Sequence, residues 1–269
     1  PVFSEMGSIN PVFLLPGKLK NDSGEIASTY ANSITQGVGQ FCTNPGLIIG
    51  VDSGDLQKFI SVLGNEIETI APAKMLHPGI AKAFDEKRDK ALHQKNVTTI
   101  AVSSTPKKEN EGTPTIATAT GKDFLTNPVL HQEVFGPYSL VIRCKDMNEM
   151  IEVAKHLEGQ LTATLMATGD DVLSNEELVE AVKNICGRFI LNGVPTGVEV
   201  CLSMQHGGPF PATTDSRFTS VGADGIKRFA RPLAFQNWEN KLLPDELKNE
   251  NPLNIWRTVN NQLTKDKIS

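Results

Sequence analysis

Gly46-Leu47-Ile48-Ile49-Gly50-Val51 is an unbroken apolar run set between glycines, and it reads as a core strand. Working outward from it, Asp55 to Ile70 carries Leu56, Phe59, Ile60 and Leu63 at helical spacing, so an amphipathic helix follows the strand. On the other side, Ser23 to Gln36 reads as a helix. Before that helix Val12-Phe13-Leu14-Leu15, ended by Pro16-Gly17, reads as a second buried strand. The alternation continues down the chain. Gly79 to Gln94 is a helix with charges on its outer face, and Lys107 to Pro114 is a surface loop punctuated by Gly and Pro. Tyr138 to Cys144 is a strand, Asn148 to Leu157 a helix capped by Asp146, and Leu161 to Ala167 a strand. Asn175 to Ile185 is then a charged helix and Phe189-Ile190-Leu191 a strand. Strands separated by full helices predict an α/β fold, with an open, mostly parallel sheet and flanking helices.

The 269 residues are 39% apolar and 21% charged, with a net charge of -5. That balance fits a globular chain with a substantial core and gives no basic footprint for nucleic acid or an anionic membrane surface. No apolar run approaches the roughly twenty residues of a spanning helix, so no membrane partner is expected. The four cysteines, Cys42, Cys144, Cys186 and Cys201, form no C-x-x-C pair, and the five histidines show no ligand spacing, so no metal site is expected. A reducing, cytoplasmic setting fits this cysteine usage. After Arg228 the sequence changes character. Arg231-Pro232, Leu243-Pro244 and Asn251-Pro252 interrupt any long element, and both tryptophans, Trp238 and Trp256, lie there. The expected division is therefore 1–228 as the main domain and 229–269 as a tail. Its tryptophans, costly to leave in water, predict docking on the body or on a second subunit.

Two short segments carry candidate chemistry. Cys42 lies in Gly39-Gln40-Phe41-Cys42-Thr43-Asn44-Pro45-Gly46, and Glu5 in Glu5-Met6-Gly7-Ser8-Ile9-Asn10-Pro11. A thiol on an accessible turn is a candidate nucleophile, and a carboxylate close to it can activate the water that releases a thioester. The alternative for Cys42 is a buried small apolar residue, and for Glu5 a surface carboxylate.

These segments resemble the Gly-Gln-x-Cys-Thr and Glu-Leu-Gly-Gly-Lys-x-Pro signatures of the aldehyde dehydrogenase superfamily. His131-Gln132-Glu133-Val134-Phe135-Gly136-Pro137 is similar to the family's Glu-Val-Phe-Gly-Pro motif. Gly187-Arg188-Phe189-Ile190-Leu191-Asn192-Gly193 resembles the strand and turn before its C-terminal segment. The resemblance implies that Cys42 is the nucleophile, forming a thiohemiacetal and then a thioester as hydride leaves to NAD or NADP. It implies that Glu5 is the base that hydrolyses the thioester. Glu133 would accept hydrogen bonds from the ribose hydroxyls of the nicotinamide cofactor, with Phe135 packed beside that ribose. Asn192 would support the active-site loop. The family's oxyanion hole joins the cysteine N–H to an Asn side chain of a preceding domain. Met6, Ser8 and Ile9 depart from the family pattern, while Glu5 and Gly7 are kept, so the resemblance carries the base role and leaves the local cofactor contacts open.

By the same resemblance, a dinucleotide-binding domain precedes Pro1. The chain reads as the C-terminal, catalytic part of a longer enzyme, and alone is expected to be inactive. Residues 229–269 resemble the family's C-terminal arm, implying a homodimer or homotetramer. Gly37-Val38-Gly39 lacks the third glycine and the preceding strand of a dinucleotide loop and is rejected as one.

The stretches Gly193 to Val200, Met204 to Thr213, Asp215 to Gly222 and Asn251 to Arg257 narrow the resemblance. They look like the branch oxidising 2,5-dioxopentanoate (α-ketoglutarate semialdehyde) to 2-oxoglutarate, with fatty aldehyde dehydrogenases as the alternative. Arg217 or Arg231 would meet a substrate carboxylate, or serve in structural ion pairs. A cofactor-independent cysteine hydrolase and an inert assembly module are the remaining readings. His206, in His206-Gly207-Gly208-Pro209, is expected to be an incidental loop residue and no partner of Cys42.

Overall fold

Val12–Leu14 (β1) and Leu47–Val51 (β2) lie side by side and parallel in the middle of a seven-stranded sheet, in a computed structural model that describes residues 2–268. Between them runs α1 (Pro16–Thr35). After β2 come α2 (Gly54–Thr69), a short β3 (Ala73–Lys74) and α3 (Pro78–Leu92). Next are β4 (Thr98–Val102), a short β5 (Glu111–Gly112), β6 (Thr115–Thr120) and α4 (Gly121–Thr126). The body continues with β7 (Tyr138–Cys144), α5 (Met147–His156), β8 (Gln160–Met166), α6 (Gly169–Ser174), α7 (Glu176–Ile185) and β9 (Cys186–Leu191). The sheet order is β4-β6-β7-β2-β1-β8-β9, with only β4 antiparallel to its neighbour. The expected open, mostly parallel sheet with flanking helices is what forms.

The two middle strands, β1 and β2, carry no polar side chain because both faces of the sheet are covered. Val12, Leu14, Ile48 and Val141 point to the layer of α1 and α2, where they meet Tyr30, Phe59 and Leu63. Their strand neighbours Phe13, Leu47, Ile49, Leu140 and Ile142 point the other way, to Phe84 of α3, Val153 of α5 and Val182 of α7. This is the period of two of a strand, repeated in register across three strands.

Two differences from the sequence reading have physical causes. Pro16-Gly17 does not merely end a strand but opens α1, with Pro16 in the first turn where its missing N–H costs nothing. The Asp171 carboxylate completes that start by accepting from Gly17 N and Lys18 N, both at 3.0 Å. The same carboxylate accepts from Thr168 N at 2.9 Å in the capping box of α6, so one side chain holds two helix starts. Asp171→Ala is expected to cost about 1–2 kcal/mol, read as a lower urea midpoint at unchanged slope. Second, β4 and β6 have no counterpart in the sequence reading. β6 is Thr-Ile-Ala-Thr-Ala-Thr, buried over its first five residues yet weakly apolar, and β4 is a largely exposed edge.

A second unit begins at Phe229. Within it, β10 (Arg257–Val259) and β11 (Gln262–Thr264) make a two-stranded hairpin. Its two-residue loop is Asn260-Asn261, at φ 49° and 64°, the positive-φ pair that a tight hairpin turn needs. Asn251 ties the hairpin to the preceding loop, donating to Ile255 O and Lys265 O, both at 2.9 Å. Trp238 packs edge-on to Phe235, and Lys265 lies over Trp256. Among the described residues no helix is long and apolar enough to cross a membrane.

Candidate active site

Parallel strands put all their amino ends on one side of the sheet, and the candidate residues gather there. Glu5 lies on the segment leading into β1, Cys42 on the turn leading into β2, and Glu133 and Phe135 on the loop leading into β7. Glu5, Cys42, Glu133 and Phe135 line one cavity of about 180 Å³, together with Met6, Gly7, Ser8 and Leu161.

Asn10 joins these segments. It is 1% exposed, and its side-chain amide donates to Cys42 O at 3.0 Å and to Asn44 O at 2.9 Å. Its carbonyl oxygen accepts from Thr162 Oγ1 at 3.0 Å. Gln160 at the start of β8 accepts from Ile9 N at 2.8 Å, and Asn44 donates to Gly136 O at 3.0 Å. The thiol turn, the Glu5 segment and the Glu133 loop are thus bonded to one another through buried amides. The sequence reading missed Asn10, Asn44 and Gln160 as site residues. The available signal was an Asn before Pro11, between a candidate carboxylate and a core strand.

His206 overturns the expectation of an incidental loop residue. Its Nε2 lies 3.4 Å from Cys42 Sγ and 3.1 Å from Glu5 Oε2, and the residue is 7% exposed. Backbone bonds fix it there. His206 N donates to Thr219 Oγ1 at 2.8 Å, and Ser220 N donates to His206 O at 2.9 Å. Residues 212–214 pair with the Glu5 segment, with Met6 N donating to Ala212 O at 2.9 Å and Thr214 N to Ser4 O at 3.0 Å. The glycines explain the close approach. A Cβ on Gly187 of β9 would stand 1.8 Å from Gly207 O, so only glycine lets this loop lie against the sheet.

The Cys42 sulfur and the Glu5 carboxylate, both bonded to Nε2, raise the His206 imidazole to about 9 against the opposing effect of burial. The same contact with His206 holds the Glu5 carboxyl below its ordinary range, and Ser220 Oγ at 3.2 Å adds to it. Glu133 goes the other way. Burial pushes its carboxyl up, Lys87 opposes and Glu5 reinforces the shift. The donor atoms of Glu5, Cys42 and His206 lie within 4.8 Å of one another, a grouping that sequence spacing does not reveal.

The other expected residues sit apart from the cavity. Asn192, at φ 54°, bridges β9 to β8 by accepting from Ala167 N at 2.9 Å and donating to Ala167 O at 2.8 Å. It steadies the far ends of these strands, not the thiol turn. Arg217 pairs with Asp215 at 2.6 Å with its side chain 80% exposed, and lines none of the cavity around Cys42.

An aldehyde dehydrogenase family match covers residues 1–210, and the chain belongs to that family. It is 42% identical over 257 residues to alpha-ketoglutaric semialdehyde dehydrogenase 2 of Azospirillum brasilense, covering 96% of this chain and 49% of that protein. It is also 42% identical over 267 residues to alpha-ketoglutaric semialdehyde dehydrogenase of Acinetobacter baylyi, covering 99% of this chain and 51% of that protein. The chain spans about half the length of these relatives. Proline utilization A from Bdellovibrio bacteriovorus shares the fold, with a TM-score of 0.68 at 21% identity over 84% of this chain and 23% of that one.

Proposed function

We propose that this chain supplies the catalytic half of an NAD(P)-dependent aldehyde dehydrogenase acting on α-ketoglutarate semialdehyde. The observation that carries the reading is the single cavity shared by Cys42, Glu5, Glu133 and Phe135, with His206 against the thiol. The names of the two relatives supply the aldehyde.

Cys42 Sγ attacks the carbonyl carbon, and a proton on His206 Nε2 stands between Sγ and the Glu5 carboxylate. A cationic ring against sulfur is complementary to an anionic nucleophile. The thiohemiacetal on Cys42 collapses to a thioester. Glu5 Oε2, steered by His206 and Ser220, accepts a proton from the water that cleaves it. The nicotinamide cofactor, when bound, accepts the hydride of the oxidation.

The residues present fit such a group. Glu133 offers a carboxylate to a vicinal diol, and Phe135 an aromatic face to a ring. A Cβ on Gly7 would stand 3.2 Å from the Glu133 carboxylate, so glycine there keeps that carboxylate clear. Phosphate and adenine contacts would come from a nucleotide-binding domain preceding this chain. The unit after Arg228, with Trp238 55% and Trp256 63% exposed, would supply surface for self-association as a dimer or tetramer.

The test is aldehyde-dependent reduction of NAD and of NADP by the protein expressed with any sequence encoded ahead of Pro1. α-Ketoglutarate semialdehyde and a long-chain aldehyde are offered in parallel. The expected result is turnover of the semialdehyde and none in Cys42→Ala. Preference for the long-chain aldehyde would move the reading to the fatty aldehyde branch, and no reduced cofactor with either would sink it.

A further inference from the structure

We propose that Glu5, Cys42 and His206 form a zinc site whose filling withholds the Cys42 nucleophile. Metal binding itself is independent of the aldehyde chemistry proposed above, and its test needs no turnover. The donor set is one sulfur, one imidazole nitrogen and one carboxylate oxygen, on three segments that meet only in the folded chain. Sulfur and imidazole together select a borderline-soft cation such as Zn²⁺ over Mg²⁺ or Ca²⁺, which take oxygen shells.

The spacing fits a tetrahedral ion. Bonds of about 2.3 Å to sulfur, 2.0 Å to nitrogen and 2.1 Å to oxygen put S and N roughly 3.5 Å, N and O roughly 3.4 Å and S and O roughly 3.6 Å apart. The observed separations are 3.4 Å from Nε2 to Sγ and 3.1 Å from Nε2 to Oε2. The two Nε2 distances need adjustments of a few tenths of an ångström, and Sγ and the Glu5 oxygen, within 4.8 Å of each other, close to roughly 3.6 Å by rotation of the Cys42 and Glu5 side chains. One nitrogen, Nε2, faces both other donors, so its lone pair is aimed at the space they share.

The surroundings suit an ion as well. The His206 backbone is held by Thr219 and Ser220, and Ser220 Oγ lies 3.2 Å from the ligating Glu5 oxygen, the outer contact that orients a ligand. Cys42 is exposed, which leaves an entry path and an open fourth position for water. A thiolate and a carboxylate together neutralise the dication. On binding, the thiol proton and the Nε2 proton pass to buffer, and the sulfur lone pair that would attack a carbonyl is committed to the metal.

The experiment titrates ZnCl2 into the metal-free chain by calorimetry and follows iodoacetamide labelling of Cys42 by peptide mass spectrometry. The expected outcome is one zinc per chain, with labelling slowed by about tenfold or more at one equivalent and no effect from MgCl2. Cys42→Ser should lose the site, and His206→Ala and Glu5→Ala should each weaken zinc by about 10- to 100-fold or more, with circular dichroism showing the fold retained. Cd²⁺ should add a sulfur-to-metal absorption in the wild type and none in Cys42→Ser. Zinc affinity unchanged in Cys42→Ser or in His206→Ala would overturn the proposal. So would unprotected labelling in the wild-type chain, a readout that depends on no variant folding.

Discussion

Asn10→Ala is expected to destabilise the chain by about 3 kcal/mol or more and to uncouple the Cys42 turn from the Glu5 segment. Asn10 is 1% exposed and its amide serves the carbonyls of Cys42 and Asn44, while its oxygen serves the hydroxyl of Thr162. Truncation removes all of these at once. A buried polar group without a partner costs about 1–3 kcal/mol, and the Cys42 carbonyl and the Thr162 hydroxyl lose this partner together, while Asn44 O keeps the Gly46 N–H. Thr162 is itself 1% exposed and Asn44 is 7% exposed, so water cannot freely replace what is lost.

The backbone supplies the control. Asn10 sits at φ 50°, a conformation that Asn tolerates better than Ala. Asn10→Ala therefore mixes backbone strain with lost hydrogen bonds, whereas Asn10→Gly relieves the backbone and still loses the amide. Asn10→Asp keeps the shape but turns an acceptor toward two carbonyl oxygens. The expected order of stability by urea denaturation is wild type, then Gly, then Ala, with Asp no better than Ala. Cys42 labelling should change in all three, because the Cys42 carbonyl is one of the lost contacts. A loss under about 1 kcal/mol in the Gly variant would show that the amide network is not what joins these segments.

How much of this was legible beforehand depended on the range of the interaction. The β2 run was readable because a strand buried on both faces reads as a continuous apolar run, β7 because Leu140, Val141 and Ile142 keep its middle apolar, and α2 because Leu56, Phe59 and Leu63 repeat on one side. β6 escaped because Thr and Ala are buried there without being strongly apolar. Cys42, Glu5, Glu133 and Phe135 were marked by motif resemblance and do meet in one cavity. His206 was not, and the reason is physical. Its place depends on a loop 164 residues beyond Cys42 packing backbone to backbone on β9, a contact that no local pattern records. Likewise Arg217 looked free to meet an anion until Asp215, two residues away, took its guanidinium.

Glu133→Gln is expected to make the chain more stable at neutral pH and, on the proposed reading, to weaken binding of the nicotinamide cofactor. Burial raises the Glu133 carboxyl above its ordinary range, with Glu5 adding to the effect and Lys87 opposing it. The folded state therefore prefers the neutral acid. The stability this contributes is complete below the unfolded glutamate value of about 4.3 and is lost as pH rises through the folded one. At pH 7 the ionised side chain is a net burden, and glutamine removes the charge while keeping the shape. The gain should be about 1 kcal/mol at pH 7, read as a higher urea midpoint, and should shrink toward nothing as the pH is lowered below about 4. The functional effect has the opposite sign. Glutamine offers one acceptor and no charge where the carboxylate offers two oxygens to a diol, a difference of about 1.5–3 kcal/mol, or roughly 10- to 100-fold in cofactor affinity. A carboxylate kept at a stability cost beside the cavity of Cys42 is what a binding role predicts. Equal stability of wild type and Glu133→Gln at pH 7, or unchanged cofactor affinity in the intact enzyme, would remove Glu133 from that role.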